Sequence, residues 1–316
     1  MNNYYHIEGT ECFGYSTINR CLYSFNLFMN TVKMVAERYR CASVHDLNGY
    51  AAHFCYRRLK AFDTLIKVVV KQNDYLSSAC LLRMLGDSVA VFNLIYMEPD
   101  KDLLWLRHVL YVIDGCEQNL KVLPDNDCNR GTMPEEELKI FNDKLSYNIE
   151  LRNRLMNEAQ RILDASPLQN KDKEAFDKIV KDRNWKFKEF KFYKRKGDNQ
   201  YKWAELYQKI GRSDNYDVLS FLSQYVHSLS MSNIVMDMNV ENRDGIIAEV
   251  IALIERLNGY TQNFFAGDIV YILEGLLIPE MRDKILACYD DKHRPSVEQW
   301  NEIVKGDIKR ILNESK

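Results

Sequence analysis

Apolar residues recur along this chain at intervals of three and four residues. No segment alternates apolar and polar residues over the length of a β-strand. Intervals of three and four place apolar side chains on one face of an α-helix, whereas half-buried strands alternate. Glycine and proline, which dominate turns, number only 13 and 6 of 316 residues, against usual shares of about 7% and 5%. The sequence therefore predicts an all-α protein, a multi-helix bundle of about ten helices without significant sheet.

Residues 124–133, PDNDCNRGTM, form the clearest loop of the sequence because turn-forming residues cluster there. We expect a weak boundary at this loop, between an N-terminal helical bundle of residues 1–123 and a C-terminal helical region of residues 134–316. The second region is expected to pack on the same core. One large domain is therefore the alternative, and a chain of this length is compatible with both.

Three features predict a soluble cytoplasmic protein. The first residues carry Glu8 and Glu11 and lack the basic-then-apolar pattern of a secretory signal. No apolar run approaches the roughly 20 residues that cross a bilayer. The eight cysteines include no Cys-x-x-Cys pair, and buried free thiols explain them more simply than a disulfide or metal framework does.

Standard catalytic and cofactor motifs are absent from the sequence. It contains no phosphate-binding P-loop, no Gly-x-Gly-x-x-Gly, no Gly-x-Ser-x-Gly, no His-Glu-x-x-His, no EF-hand loop and no Glu-x-x-His pair. We therefore predict no cofactor and no metal, and the lack of paired ligands disfavours a haem or metal carrier. Whether the protein is an enzyme stays open at this point.

The helix predicted over residues 75–97 is apolar nearly all round, yet it carries Arg83 and Asp87 four residues apart. An apolar surface on every side indicates a buried helix, and a spacing of four puts both side chains on one face. An uncompensated buried guanidinium would cost several kcal/mol, so we expect Arg83 to bind Asp87. A structural ion pair and the charged floor of an internal pocket are both compatible with this pattern.

A second polar stripe lies on the helix predicted over residues 215–232. Ser223 and His227 are four residues apart on its polar face, together with three more hydroxyl side chains, those of Tyr216, Ser220 and Ser230. No charged residue occurs from Val218 to Ile234, so this face suits another polar surface better than bulk water, although a solvated face is the alternative. An unperturbed histidine titrates near neutrality, and His227 could serve as acid, base or donor to an anion.

These two helices resemble a widespread family of bacterial all-helical proteins that is catalogued only as a domain of unknown function. The shared features are the Arg-x-x-x-acid helix, a basic stretch containing tryptophan and the late Leu-Ser-x-x-x-His helix that ends at His227. Three residues before the Leu-Ser pair this chain has Leu219, where that family often has tyrosine. The resemblance covers about residues 47–231. It implies that Arg83, Asp87, Ser223 and His227 share one pocket, and it implies no reaction.

Between Lys181 and Lys202 the chain has nine basic residues against three acids, with aromatic residues interleaved. Cations that bind phosphates and rings that stack on bases are the components of single-strand nucleic-acid binding. The predicted nucleic-acid contacts are Lys186, Lys188, Lys191, Lys194, Arg195 and Lys196. The alternative is a loop whose rings anchor it to the bundle while its lysines stay in water.

Two functions fit these observations. The first is a non-enzymatic binding module with a regulatory or defence role, which holds a small anion or a protein partner between Arg83 and His227. The second is a metal-independent ribonuclease in which His227 or His45 acts as general acid or base, an arginine stabilises charge, and the basic stretch holds RNA. The candidate catalytic residues are thus His227, Arg83, Asp87 and Ser223. We expect no membrane partner, and a homo-oligomer remains open.

Overall fold

A computed structural model describes residues 28–69, 74–123, 134–211, 218–226, 240–287 and 294–314. Among these residues the chain forms helices joined by turns and loops, with one isolated bridge between Phe187 and Gln200, and the all-α prediction is confirmed. The helices are α1 (28–38), α2 (Leu47–Lys67), α3 (Tyr75–Tyr96), α4 (Lys101–Val122), α5 (Glu135–Asp164), α6 (Leu168–Lys171), α7 (Lys173–Lys181), α8 (Trp203–Lys209), α9 (Val218–Val226), α10 (Val240–Phe264), α11 (Ala266–Gly275), α12 (Pro279–Leu286) and α13 (Val297–Glu314).

Capping residues set the start of several helices. The Asp100 carboxylate accepts the backbone N–H groups of Asp102 and Leu103 at the start of α4, at 2.9 and 3.2 Å. Such a cap satisfies donors that have no partner within the helix. The proline just before Asp100 disfavours helical backbone at the residue that precedes it. The sequence Glu-Pro-Asp therefore ends α3 and starts α4 within a few residues.

The helices form two compact units that do not follow the predicted split into residues 1–123 and 134–316. The first unit comprises Met1–Arg40, Asn48–Asn93 and Trp203–Lys316, in so far as these are described, and the second comprises Cys41–Leu47 and Leu94–Lys202. The predicted boundary at 124–133 lies outside the described residues. The physical reason for the difference is that α4 packs against α5, so the residues before and after that loop share one core.

Aromatic side chains of α2, α3 and α10 meet in the core of the first unit. The ring of Phe92 lies 6.0 Å from that of Phe54 and 6.4 Å from that of Phe264. Elsewhere in the same unit α11 packs against α13, and the indole N–H of buried Trp300 donates to the carbonyl of Leu276 at 3.1 Å. α3 is therefore a core helix of this unit.

In the second unit, polar side chains of α4 and α5 hold the segment that precedes α2. Glu158 accepts the Ser43 hydroxyl at 2.9 Å and the Val44 N–H at 3.2 Å. His108 lies fully buried, and its Nε2 donates to the Val44 carbonyl at 3.1 Å. Burial lowers the pKa of His108 to about 4, so this histidine is neutral at physiological pH.

Among the described residues one helix, α3, is long and apolar enough to cross a membrane by length and composition alone. In its most apolar stretch 72% is buried inside the protein. A buried apolar helix of this kind is what the core of a soluble protein also requires, and the aromatic contacts of Phe92 place α3 in such a core.

Candidate functional site

Arg83 and Asp87 form an ion pair on α3. Nη1 of Arg83 donates to Oδ1 of Asp87, and only 10% of the arginine side chain is exposed, against 31% of the aspartate. The spacing of four residues predicted this contact. The guanidinium is therefore buried and neutralised from within its own helix, while part of the carboxylate stays open to solvent.

Two aromatic residues of α8 complete one side of this cluster. The Tyr207 hydroxyl donates to Oδ1 of Asp87, the oxygen that also accepts from Arg83. The rings of Trp203 and Tyr207 are stacked, with centroids 6.1 Å apart and planes 26° apart. The Arg83 guanidinium carbon lies 5.0 Å from the Tyr207 centroid and 5.8 Å from that of Trp203. These contacts fall within the range of cation–π attraction and hold the guanidinium in one orientation.

Ser223 reaches the cluster from α9. Its hydroxyl oxygen accepts a hydrogen bond from Nε of Arg83 at 3.4 Å, across 140 positions of sequence. The close approach of the two helices depends on Gly86, because a β-carbon there would lie 2.6 Å from Cδ2 of Leu219. Leu219 is fully buried and lies one turn before Ser223. The absence of a side chain on α3 therefore lets α9 bring its serine to Arg83.

The structure thus brings together three of the four residues predicted to share a pocket, namely Arg83, Asp87 and Ser223. The fourth, His227, lies outside the described residues, as do the side chain of Ser220 and the whole of Tyr216 and Ser230. The catalytic or binding roles of these residues stay predictions.

Trp203 and Tyr207 were not predicted from the sequence as members of the site. The signal was present, since the two rings are four residues apart and therefore share one face of a short helix. Trp203 was assigned instead to the end of the basic stretch, and Tyr207 to a helix predicted over residues 202–210 without a role in a site. Nothing in the local sequence shows which distant acid Tyr207 would bind, because that partner comes from a different part of the chain.

Chemically, the cluster offers hydrogen-bond donors in a fixed geometry. A guanidinium carries five N–H groups, and in the described part of the chain Arg83 uses Nε for Ser223 and Nη1 for Asp87. The Ser223 hydroxyl accepts one of these bonds and keeps its own proton to donate. No group of three or more histidine, cysteine or acidic residues is placed to hold a metal ion among the described residues.

The basic stretch lies in the second unit, and most of its rings are buried rather than presented. Of the six predicted nucleic-acid contacts, four are exposed, namely Lys191, Lys194, Arg195 and Lys196, whereas Lys186 and Lys188 are half-buried. Four rings, those of Trp185, Phe187, Phe190 and Tyr193, are buried. Phe192 is 84% exposed. Most of the rings are therefore buried, as the alternative of an anchored loop predicted. The role of the cations in nucleic-acid binding stays a prediction.

Arg107 on α4 anchors this stretch and was not singled out from the sequence. Its side chain is 3% exposed and its Nε donates to Glu98 at 3.2 Å. Its Nη1 donates to the carbonyls of Trp185 and Phe187 at 3.0 and 2.9 Å, and its guanidinium carbon lies 3.9 Å from the centre of the Phe187 ring. The signal was the same as at Arg83: one arginine inside an apolar helix.

His45, the other histidine of the ribonuclease alternative, is exposed in the loop before α2. Its backbone N–H donates to the Ser43 hydroxyl at 3.3 Å. Arg40, which lies five residues before His45, is also exposed and belongs to the other unit.

No protein-family model, no curated protein and no solved structure matches this chain. The resemblance to the bacterial helical family therefore stays a prediction, and the functional conclusion rests on the geometry of the described residues.

Proposed function

We propose that this protein is a non-enzymatic helical binding module whose ligand is a small oxyanion held at the Arg83 cluster. The observation that carries the proposal is the orientation of Arg83, which is fixed on one side by Asp87, on another by Ser223 and over its plane by the rings of α8. A guanidinium that cannot rotate loses little entropy when it binds a ligand, and planar N–H pairs match the oxygens of phosphate or carboxylate.

The neighbouring helix supports an anionic rather than a cationic ligand. From Val218 to Ile234 the sequence carries hydroxyl groups and His227 but no acidic residue. Hydroxyls and a protonated imidazole donate hydrogen bonds to an anion without repelling it. A regulatory or defence role fits a module that binds without reacting, and it belongs to this proposal.

Asp87 orients the Arg83 guanidinium and does not itself bind the ligand. Its carboxylate accepts from both Arg83 and Tyr207, so its negative charge is shared between two donors. The sharing reduces its repulsion of an incoming anion while it keeps the guanidinium in place. We infer that Asp87 and Tyr207 position Arg83, whereas Arg83 and Ser223 contact the ligand.

We also infer that the protein works in the cytoplasm. Three of the described cysteines, Cys55, Cys80 and Cys116, are free thiols. Free thiols persist in a reducing compartment and are uncommon in secreted proteins. Burial raises the pKa of Cys55 to about 12, which keeps that thiol protonated and unreactive.

The proposal is tested by melting the purified protein with inorganic phosphate, pyrophosphate and citrate. A ligand at about 100 times its dissociation constant stabilises the folded state by about 2.7 kcal/mol. We expect at least one of these anions to raise the melting temperature of the wild type and of Arg154→Gln, an exposed-arginine control on α5. We expect no such rise in Arg83→Met/Asp87→Leu, which removes both charges. A rise of equal size in that double variant would contradict the proposal.

The ribonuclease alternative is separated from this proposal by a direct assay. Labelled RNA is incubated in EDTA with the wild type, His227→Ala and His45→Ala. We expect intact RNA in every sample. Cleavage by the wild type that is lost in one histidine variant would replace the binding module with an enzyme.

A further inference from the structure

Phe192 stands out from every other ring of the basic stretch. It is 84% exposed, and its backbone lies in the left-handed region with φ of 61°. Its neighbours on either side of the exposed turn, Phe190 and Tyr193, are 8% and 2% exposed. A bulky side chain in this backbone region is rare and costs free energy. At Phe192 this free-energy cost is not offset by burial of the ring.

The other described non-glycine residue with positive φ, Arg183, ends a helix, whereas Phe192 lies in an exposed turn. Arg183 follows the last turn of α7, where its N–H donates to the Val180 carbonyl and the N–H of Asn184 donates to the Ile179 carbonyl, both at 3.2 Å. This is the usual hydrogen-bonded ending of a helix. Phe192 ends no helix, and at this φ its ring stays in solvent.

The turn that presents Phe192 is held firmly from within. Asp182 accepts the Tyr193 hydroxyl at 2.9 Å and the Lys196 backbone N–H at 3.1 Å. The Asn199 side chain accepts the N–H groups of Lys188 and Glu189 at 2.8 and 2.9 Å and donates to the Glu189 carbonyl at 2.8 Å. The ring is therefore offered to solvent by an ordered turn.

Exposed cations flank the ring. Lys191 immediately precedes it, and Lys194 follows two residues later. Next come Arg195, which binds Asp198 at 3.0 Å, and Lys196. Asp198 offsets one of these charges, so Lys191 and Lys194 are the cations best placed to bind phosphates beside the ring.

We propose that Phe192, Lys191 and Lys194 form a binding site for single-stranded nucleic acid. The ring stacks on one base, and the two ammonium groups contact the phosphates on its flanks. Stacking on a phenyl ring accepts any base, so the site has little sequence preference. This site is independent of the anion site at Arg83, and neither proposal needs the other.

A single strand fits this surface better than an anionic membrane does. In the stretch from residue 181 to 202, Phe192 is the one strongly exposed large apolar side chain of the described structure. Stable attachment to a bilayer requires a second contribution beside the basic residues, such as a larger apolar face or a lipid chain. Stacking on a base needs only one accessible ring.

The test measures the fluorescence anisotropy of a labelled oligouridine RNA of about 12 nucleotides with the full-length protein at low salt. We expect Phe192→Ala to weaken binding about tenfold, since stacking on one base carries roughly that factor. We expect Lys191→Gln/Lys194→Gln to weaken binding and to reduce the slope of log affinity against log salt by about 1.4, since each phosphate contact contributes about 0.7 on a single strand. The matched controls are Tyr147→Ala, which removes another exposed ring, and Lys139→Gln/Lys144→Gln, all on α5.

A second variant protects the test against misfolding. Phe192→Gly removes the ring and relaxes the left-handed backbone, so it should lose RNA affinity as Phe192→Ala does while melting no lower than the wild type. Equal affinity in Phe192→Ala and the wild type would overturn the proposal. So would the absence of any RNA binding, or binding to vesicles of phosphatidylcholine and phosphatidylserine that is tighter than binding to the RNA and depends on Phe192.

Discussion

Gly86 on α3 makes room for Leu219 on α9, and a β-carbon at Gly86 would lie only 2.6 Å from Cδ2 of that leucine. Leu219 is fully buried, so its side chain has little freedom to move away. Gly86→Ala should therefore destabilise the protein by about 1–2 kcal/mol, as crowding of a packed contact exceeds the gain in helix propensity. Urea denaturation measures this difference.

The control for that substitution is Gly115→Ala on α4, where a new β-carbon meets no atom within 4 Å. This variant should gain about 0.5–1 kcal/mol from helix propensity alone. Adding Leu219→Ala to Gly86→Ala should remove the clash, so the double variant should be more stable than the sum of the two single effects predicts. Strict additivity would show that Gly86 and Leu219 do not restrict each other.

Removal of one partner of the Arg83–Asp87 pair should cost more than removal of both. Asp87→Asn leaves the guanidinium, whose side chain is 10% exposed, without its anion, and we expect a loss of roughly 2–3 kcal/mol. Arg83→Met/Asp87→Leu replaces the pair with apolar groups and should lie closer to the wild type. Free energies of unfolding for the wild type and the two variants check this order. If the double variant unfolds more easily than Asp87→Asn, the ion pair stabilises the folded protein by more than the burial of its charges costs, and the prediction is wrong.

Arg107 should be more sensitive to substitution than an exposed arginine. Arg107→Lys keeps the charge but loses the planar fork that reaches Glu98 and two backbone carbonyls. We expect a loss of about 2–3 kcal/mol and faster tryptic cleavage after Lys186 and Lys188. Arg154→Lys on α5, where 58% of the arginine side chain is exposed, should change stability by less than about 0.5 kcal/mol. Unchanged proteolysis of Arg107→Lys would contradict the anchoring role.

His108 should make the second unit sensitive to mild acid. Its pKa falls from the usual 6.5 to about 4 on folding, because burial disfavours the imidazolium. Between these values the unfolded chain binds more protons than the folded chain, so stability is complete above pH 6.5 and decreases as the pH falls towards 4. The full effect is roughly 3 kcal/mol. His108→Gln should flatten the dependence of unfolding free energy on pH across this range, and an unchanged pH dependence in this variant would contradict the role of His108.

Helix formation was predictable because it depends on spacing within one segment. The all-α class, the helix around Arg83 and the Arg83–Asp87 contact all follow from intervals of three and four residues. The burial of Arg83 followed from the pattern too, because its helix is apolar nearly all round. A buried arginine must find an acceptor nearby, and Asp87 is the nearest acid. The same argument applies to Arg107, but its acid is Glu98 rather than a residue four positions away, so the local pattern did not reveal the pair.

Contacts between distant segments were much less predictable. Ser223 was expected near Arg83 from the resemblance and from its polar helix face, whereas Tyr207 was not expected to bind Asp87. The two units are built from segments that alternate along the chain. Their division depends on which helices pack together, and a loop rich in turn residues, such as 124–133, does not indicate that.

The most direct test of the anion site follows the Nε–H resonance of Arg83 by NMR, assigned by its loss in Arg83→Lys, as inorganic phosphate is added to the wild type. We predict that this resonance moves with a saturable dependence on phosphate concentration and that Ser223→Ala weakens the apparent affinity. A resonance that stays in place while the anion saturates the protein by calorimetry would contradict binding at Arg83.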